Sequence, residues 1–451
     1  MQTSQTIQPG LRSSVRTLCA VAFPAMLEQL GQIFLGAVDT YFAGRINDNA
    51  IAAINVSNMF TILFSAVFAA LGIGVMVKIS HALGEGNSRR ANHILRQAVL
   101  LGVGASLLIG VLCMVFRKPF LEAAGARGEI LEMSMVYYSV VCVPCIFMCL
   151  TMVLSNGLKA MQNTRTSMMA ALTANVTNAV LDALFIHLGW GVFGLAMATT
   201  LSRMLNLAIL LALYLKGVGA LKLDRTNWSF DLRLSGELML YALPIMLTQL
   251  STKLVNLLGG SLVLHLGDIY YITHSVAVQL DEFICTPMIG FEAAVASLVS
   301  NSLGAGNHRQ AARFGFLSCG IAMTVMTVLG AFLALWAAPL ASIFTPTTQI
   351  QYMVRDTLTF MAFFQWTSAL AQVVISAVQG TGDSRTPFLV SLVGSFVLRL
   401  GFGYLMAYPL GLKLIGIWSG FVADFIFRGT ILGFCFIRFS RRAPQLTEVS
   451  S

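Results

Sequence analysis

Twelve long apolar stretches, separated by short polar connections, follow one another along the chain. They lie near residues 17–45, 50–82, 92–116, 129–156, 167–188, 191–215, 238–265, 270–303, 312–339, 351–379, 387–411 and 413–437. A helix that crosses the hydrocarbon core of a bilayer needs roughly 20 mostly apolar residues. The longest polar connection, Gly217–Glu237, is too short for a soluble domain. The pattern therefore predicts an all-α membrane protein with twelve transmembrane helices.

The composition excludes most other classes of protein. Only 10% of the 451 residues are charged and 57% are hydrophobic, whereas an ordinary soluble domain is about 25% charged. A soluble enzyme, a secreted disulfide module and a disordered chain are therefore excluded. The net charge of +9 comes from basic residues that are spread thinly along the chain. This spread favours orientation in a membrane over nucleic-acid binding, so we expect no nucleic-acid partner.

The basic residues also predict the orientation of the chain. With twelve spans both termini lie on one side, and seventeen Lys and Arg fall on that side against five on the other. The side richer in Lys and Arg is normally cytoplasmic. We therefore expect a multi-pass protein of the cell (inner) membrane with both termini in the cytoplasm.

Three sequence blocks recur at a constant offset of 220 residues. Pro24–Leu30 matches Pro244–Leu250, Gly84–Arg89 matches Gly304–Arg309, and Arg165-Thr166 matches Arg385-Thr386. The repeat predicts two homologous six-helix lobes, residues 1–216 and 238–451, joined by a cytoplasmic linker over 217–237. Two halves related by an axis along the membrane normal are a common plan among transporters. A duplicated scaffold without transport is the alternative.

Several motifs make the chain resemble one transporter family. They are Pro24-x-Met26-x-x-Gln29 with Asp39 fifteen residues after the proline, Gly84-x-Gly86-Asn87-x-x-x-Ala91, and Gly416-Ile-Trp-Ser-Gly420 with Asp424 and Arg428. In these motifs the chain is similar to the multidrug and toxic compound extrusion (MATE) family, over its whole length. The resemblance implies a monomeric twelve-helix antiporter, surrounded by membrane lipids, with two lobes around a central cleft. It implies export of amphipathic, often cationic small molecules against an inward proton or sodium gradient, with no cofactor.

Two intramembrane acids in the first half are the main candidates for ion coupling. Acidic residues inside membrane spans are costly and are functional candidates by default. Asp39 and Asp182 lie at similar depth, in the outer halves of the first and fifth spans. Their counterparts in the second half, Gly259 and Phe402, carry no charge. Because a scaffold role would be expected in both halves, this asymmetry favours function over a structural polar network.

Other polar side chains are predicted at the same depth as the two acids. Asn178 is one helical turn before Asp182 and Asn175 is one turn further in on the same span, while Thr199 and Tyr137 come from the sixth and fourth spans. These oxygens suit a proton or a hard cation. A sodium ion held by Asp39, Asn178 and Asp182 is thus the alternative to a proton. In the MATE family the matching residues of the first and fifth spans form the coupling-ion site, which places the chain nearer the branch with this site in its N-terminal lobe.

The second half offers a tentative substrate set and a charge cluster. The substrate set consists of Asp281, Glu282, Gln249 and Asn256, in the seventh and eighth spans. Two interpretations of Asp281 and Glu282 stay open, attraction of cationic compounds and pairing with Lys253. Asp424, Arg428 and Arg399 lie at equal depth in the last two spans, which predicts a structural ion cluster.

The sequence thus predicts a secondary-active antiporter rather than an enzyme. It contains no nucleotide-binding loop and no combination of nucleophile and base, so ATP-driven transport and catalysis are not expected. The alternative function is that of a lipid or glycolipid flippase of the same superfamily. A flippase would be expected to carry more basic residues in its cavity to hold phosphate groups.

Overall fold

The computed structural model describes residues 10–224 and 228–449, and within these ranges the chain is almost entirely helical. The first half contains α1 (Leu11–Gly44), α2 (Asp48–Gly84), α3 (Ser88–Val115), α4 (Arg117–Ala123), α5 (Gly128–Val141), α6 (Ile146–Ala160), α7 (Thr164–His187) and α8 (Gly191–Lys216). The second half contains α9 (Leu232–Leu266), α10 (Asp268–Gly304), α11 (His308–Phe344), α12 (Thr348–Gly380), α13 (Arg385–Val393), a π-helix (Gly394–Phe402), α14 (Gly403–Ala407) and α15 (Lys413–Val449). Residues 1–9 of the predicted first lobe and Arg225 of the predicted linker lie outside the described residues.

The helices account for the twelve predicted spans. In the described part of the chain, eleven helical segments are long and apolar enough to cross a membrane, and the bent pair of α5 and α6 makes a twelfth. The segment Arg385–Ala407, which contains the π-helix, counts as one of the eleven. The prediction of an all-α protein with twelve transmembrane helices is thereby confirmed.

The fourth span is broken in the middle, which the sequence pattern did not predict. Its two helices, α5 and α6, meet at an angle of 46°. Pro144 lies in the break and lacks the N–H that would continue the helical ladder. Gly110 of α3 lies against the bend, where a Cβ atom would be only 2.6 Å from the carbonyl oxygen of Val143. The glycine therefore lets α3 approach the break closely.

The repeated Gly-x-Gly-Asn motif forms the same corner in both halves. Gly86 and Gly306 have φ angles of 71° and 70°, a left-handed conformation that favours glycine. The next residue caps the following helix, because Asn87 Oδ1 accepts from Arg90 N–H and Asn307 Oδ1 accepts from Gln310 N–H, both at 2.9 Å. The repeated motif therefore ends one helix and starts the next in both halves, between α2 and α3 and between α10 and α11.

The described chain packs as two compact units. One is Leu27–Met246, and the other combines the segment before Leu27 with Leu247 onward. Both boundaries fall inside long helices, α1 and α9, three residues beyond Pro24 and Pro244. These packing units therefore differ from the two halves of the sequence repeat. The beginning of α1 packs with the second half of the chain, and the beginning of α9 packs with the first half.

The linker is held to the first half through α3. The buried Gln97 side chain donates to the Ser229 carbonyl oxygen at 2.7 Å and accepts from Asp231 N–H at 3.0 Å. Asp231 caps α9 by accepting from Leu234 N–H at 3.0 Å, and its other oxygen lies 3.1 Å from His93 Nε2. The Leu234 N–H and His93 stabilise the ionised form and hold the pKa of Asp231 below its ordinary value.

Glycines bring α15 against the π-helix and α14 in the second half. A Cβ atom at Gly420 would lie 2.4 Å from the Arg399 carbonyl oxygen, and one at Gly416 would lie 2.4 Å from Ala407 N. At Gly394 a Cβ atom would meet Asp424 Oδ1 at 2.3 Å. Only residues without a side chain permit this approach, so the glycines bring Arg399 and Asp424 together.

Candidate functional site

The first and fifth spans approach each other at a glycine. A Cβ atom at Gly31 of α1 would lie 2.8 Å from Leu172 Cδ2 and 3.1 Å from Asn175 Nδ2 of α7. Asp39 follows Gly31 by eight residues, and Asp182 follows Asn175 by seven. Because a helix rises 1.5 Å per residue, both aspartates lie about two turns beyond this contact. The close packing at Gly31 therefore aligns the two acids.

The two carboxyl groups lie within hydrogen-bonding range of each other. Asp182 is fully buried and Asp39 is half-buried. Neither oxygen of Asp182, nor Oδ1 of Asp39, has a hydrogen-bond donor among the described residues. An ionised carboxylate only accepts hydrogen bonds, so a bond between the two groups requires a proton on one of them. The geometry is that of a carboxyl pair able to share a proton.

The amides on α7 are also unsatisfied. Within the described chain, both side-chain polar atoms of the buried Asn178 and the Nδ2 atom of Asn175 have no hydrogen-bond partner. Buried polar groups are normally paired, so each orphaned group calls for an explanation. Asn178 lies one turn before Asp182 and faces the same side. The Asn178 amide supplies both a donor and an acceptor one turn from Asp182, which fits a site for a proton, a cation or water.

Hydroxyl groups from α5 and α8 lie on another side of the site. The buried Tyr137 lies within electrostatic range of Asp39, and its hydroxyl is near Thr199. Thr199 donates to the Leu195 carbonyl oxygen at 3.0 Å. The neighbouring Thr200 donates to the Val140 carbonyl oxygen at 2.7 Å, which ties α8 to α5. The structure thus brings Asp39, Asp182, Tyr137 and Thr199 close together, with Asn178 one turn from Asp182 on α7, whereas Asn175 lies two turns from Asp182, at the Gly31 contact.

From the sequence, one charged residue near this site has no role beyond snorkelling or ion pairing. Arg203 of α8 is half-buried and lies within electrostatic range of Asp39, Tyr137 and Cys142. It follows Thr199 by four residues and therefore lies on the same helical face. A signal was present in the sequence, since an arginine in the middle of an apolar span is rare. It could not be used because the sequence does not show which neighbour that face meets.

Another carboxylate of α1, Glu28, is fully partnered. Its Oε1 accepts from Lys159 Nζ at 2.9 Å, and its Oε2 accepts from Ser167 Oγ at 2.9 Å. Ser155 Oγ lies 3.3 Å from Oε1. These contacts fasten the part of α1 that follows Pro24 to α6 and α7. Since every partner is in place, Glu28 acts as an anchor rather than as an open ion site.

The predicted ion cluster near the end of the chain is confirmed. Asp424 Oδ2 accepts from Arg399 Nε at 2.9 Å and from Arg428, and Arg399 Nη2 lies 2.7 Å from the same oxygen. Arg399 belongs to the π-helix, a rare element often found at functional sites. Asn256 Oδ1 of α9 also accepts from Arg399, at 3.2 Å. The cluster joins α9, the π-helix and α15.

The predicted substrate residues have different surroundings. Asp281 accepts from Gln365 Nε2 at 2.5 Å and lies within electrostatic range of Arg399. Asn256, as described, bonds to Arg399, whereas Glu282 is exposed and Gln249 is half-buried. The structure therefore brings Asp281 and Asn256 toward the arginine cluster. Of the two open interpretations of Asp281 and Glu282, pairing with Lys253 does not occur among the ion pairs of the described residues.

The sequence matches a known protein family in both of its halves. The family model described as MatE matches residues 24–184 and again 244–405, which together cover more than half of the chain. The chain belongs to the MatE family. Each match begins at a proline of the repeat, so one copy of the MatE motif occupies each half. MatE proteins are transporters that use an ion gradient and need no cofactor, so this multi-pass membrane protein is not an enzyme.

Individual MatE relatives match the chain along most of its length. A probable multidrug resistance protein NorM of Thermotoga maritima is 25% identical over 426 residues, covering 92% of this chain and 90% of that protein. Multidrug and toxin extrusion protein 1 of Danio rerio is 25% identical over 421 residues, covering 91% of this chain and 70% of that protein. An outward-facing multidrug resistance MATE transporter aligns with a TM-score of 0.89 and 21% identity over 96% of this chain and 97% of that one. The last comparison shows that the fold is shared.

Proposed function

We propose that the protein is a secondary-active multidrug efflux antiporter, which exports amphipathic, often cationic compounds in exchange for protons or sodium ions. Family membership supports transport, and the names of the NorM relatives support drugs as the small-molecule substrates. The observation that carries the coupling mechanism is the Asp39–Asp182 carboxyl pair. These groups lie within hydrogen-bonding range of each other, and both oxygens of Asp182 and Oδ1 of Asp39 lack a donor among the described residues.

The coupling site consists of six residues on four helices: Asp39, Asn175, Asn178, Asp182, Tyr137 and Thr199. When an ion enters, the carboxyl pair binds it, and the amides of α7 orient the carboxyl groups. When the ion leaves, the pair regains negative charge, and the energy of burying that charge favours a different arrangement of the surrounding helices. Pro24 lies inside α1 and has no N–H to join the helical hydrogen bonds, so it gives the helix a point at which it can bend.

We further propose a location and a substrate region. The protein works as a monomer in the inner membrane, with both termini in the cytoplasm, and this orientation rests on the excess of Lys and Arg on that side. Substrate contacts come from the set Asp281, Glu282, Gln249 and Asn256. Glu282 is the acidic member with an exposed side chain, and an exposed carboxylate attracts cations.

The flippase alternative is weaker because the buried guanidinium groups of the second half are occupied. Arg399 and Arg428 both bind Asp424. A phosphate-bearing lipid headgroup would need basic groups free to bind it. The carboxyl pair of the first half would repel such a headgroup, so the arrangement of charge favours export of neutral or cationic compounds.

The test is efflux of a cationic dye from proteoliposomes under an imposed proton gradient. Asp39→Asn removes the titratable group and keeps its shape, so we expect a folded, inserted protein whose gradient-driven efflux falls to the level of protein-free liposomes. Asp48→Asn, at the exposed start of the next helix, is the matched control and should transport as the wild type does. Coupled transport at the wild-type rate in Asp39→Asn would disprove the assignment of this site.

A further inference from the structure

Glu28 is the centre of a buried polar cluster that lies on the same two helices as the carboxyl pair. Its carboxylate accepts from Lys159 Nζ of α6 at 2.9 Å and from Ser167 Oγ of α7 at 2.9 Å. Ser155 Oγ of α6 lies 2.6 Å from Ser167 Oγ, which joins these two helices. The Glu28 side chain is only 8% exposed and that of Lys159 17%. Water and salt therefore screen this ion pair much less than they screen a pair at the surface.

The contacts between α1 and α7 occur in the same order along both helices. Glu28 accepts from Ser167 near the start of α7, and the next contact is the close approach of Gly31 to α7. Asp39 and Asp182 follow further along the two helices, and eleven residues, about three helical turns, separate Glu28 from Asp39. No proline lies between Glu28 and Asp39, and a helix without such a residue curves only gently. The position of Glu28 therefore also determines where Asp39 lies relative to α7.

The second half of the chain does not repeat this ion pair. At the offset of 220 residues, Glu28 corresponds to Thr248 and Lys159 corresponds to Gln379, and neither counterpart carries a charge. The fold that both halves share therefore does not require the ion pair. The pair occurs in the half that contains the carboxyl pair, and on one of the same helices. This connects it with the coupling site rather than with the fold.

We propose that Glu28 and Lys159 are positioning residues of the coupling site, and that their ion pair holds α1 against α6 and α7 so that the carboxyl group of Asp39 stands opposite that of Asp182. This inference rests on the proposed coupling function. Glu28 does not bind the coupling ion itself, because both of its oxygens already accept hydrogen bonds. Without the ion pair, Asp39 moves away from Asp182 and water enters between them. Two carboxyl groups that no longer oppose each other's ionisation release their protons at lower pH.

The experiment follows the ionisation of the carboxyl pair by infrared spectroscopy of the reconstituted full-length protein, between about pH 4 and pH 10. Protonated carboxyl groups give a C=O stretching band, and the part of this band that Asp39→Asn removes belongs to the pair. The test variant is the double substitution Glu28→Gln/Lys159→Gln, which removes the ion pair without changing the net charge. A single substitution of either partner is avoided, because it would by itself change the electrostatic potential at Asp39.

The expected result is a shift in the pH at which the Asp39-dependent band is half its full size. In the double variant this midpoint should move to lower pH by at least about half a unit, because separation weakens the repulsion between the two carboxylates. Ser167→Ala removes only the bond to α7 and should move the midpoint in the same direction by a smaller amount. Lys159→Arg keeps the positive partner of Glu28 and should leave the midpoint unchanged.

Two matched controls separate positioning from general stability. Thr173→Val removes a hydroxyl of α7 that donates within its own helix, to the Met169 carbonyl oxygen at 2.8 Å, and should leave the midpoint unchanged. Gly420→Ala lies in the second half, where an added Cβ atom would be 2.4 Å from the Arg399 carbonyl oxygen. It should lower the unfolding temperature without moving the midpoint. A folded double variant with the wild-type midpoint would overturn the inference, and if that variant does not fold, a wild-type midpoint in Ser167→Ala would overturn it equally.

Dye efflux keeps this inference distinct from the proposed function. If no ion gradient drives efflux by the wild type, the antiporter proposal fails, whereas the infrared comparison still decides whether the ion pair positions Asp39, because it does not depend on transport. A wild type without an Asp39-dependent band would overturn the inference. Efflux by the wild type together with an unchanged midpoint in the double variant would leave the antiporter in place and remove Glu28 and Lys159 from its mechanism.

Discussion

Four charged residues, Asp281, Arg399, Asp424 and Arg428, carry two negative and two positive charges in the second half of the chain. Asp424 is fully buried and bonds to both arginines, and Asp281 lies within electrostatic range of Arg399. Buried charges are tolerated when they are paired in this way. The first-half site differs, because both oxygens of Asp182 and Oδ1 of Asp39 have no donor in the described chain. The paired charges of the second half therefore stabilise the fold, whereas the unpaired carboxyl oxygens of the first half can bind an ion.

This difference predicts the effect of Asp424→Asn. The substitution removes the carboxylate that Arg399 and Arg428 both bind, and breaking a buried pair costs about 3–5 kcal/mol. We expect a large loss of folded yield and a lower unfolding temperature, measured by thermal denaturation in detergent. Asp356→Asn removes an exposed partner of Arg355 and should change stability by less than about 1 kcal/mol. A fully stable Asp424→Asn protein that does not transport would mean that Asp424 belongs to the coupling machinery instead.

At the scale of helices, the contact of α15 with the π-helix depends on glycine. A Cβ atom at Gly420 would lie 2.4 Å from the backbone oxygen of Arg399, which cannot move without shifting the π-helix. Gly420→Ala should therefore separate the two helices and destabilise the protein by about 1–3 kcal/mol. Thermal unfolding of the purified protein measures this loss.

The same helix supplies the control for that prediction. At Gly433 of α15, an added Cβ atom would have no neighbouring atom within 4 Å. Gly433→Ala should leave the unfolding temperature unchanged or raise it slightly, because alanine is the better helix former. Equal stability of the Gly420→Ala and Gly433→Ala proteins would show that the two helices do not need this close contact.

The sequence pattern predicts the transmembrane helices but not the irregularities inside them. Apolar length predicts the spans, since hydrocarbon thickness fixes how many residues a crossing helix needs. The break at Pro144 and the π-helix around Arg399 change the hydrogen-bond register inside an apolar stretch while leaving its length and hydropathy unaltered. The break packs against α3 and the π-helix packs against α15. These contacts cannot be derived from the amino-acid composition of the span.

For the molecule as a whole, the site was predictable in part. Equal depth in neighbouring spans was enough to bring Asp39 and Asp182 together, because helix rise converts sequence position into depth. Depth does not specify which way a helix faces. The sequence therefore did not indicate that Arg203 lies within electrostatic range of Asp39, or that Asp281 bonds to Gln365 at 2.5 Å. The repeat also helped to identify candidate residues. Gly259 occupies the position in the second half that corresponds to Asp39, so the fold that both halves share does not require an aspartate there.

The orientation of the whole molecule gives a final prediction, which the two ends of α2 can test. Asp48 and Arg89 are exposed and lie at the start of α2 and just beyond its end. With the amino terminus in the cytoplasm, the start of the second span faces outward and its end faces inward. In a variant without the eight native cysteines, Asp48→Cys in intact cells should react with a membrane-impermeant maleimide, whereas Arg89→Cys should react only after permeabilisation. The reverse pattern would place both termini outside and contradict the orientation derived from Lys and Arg.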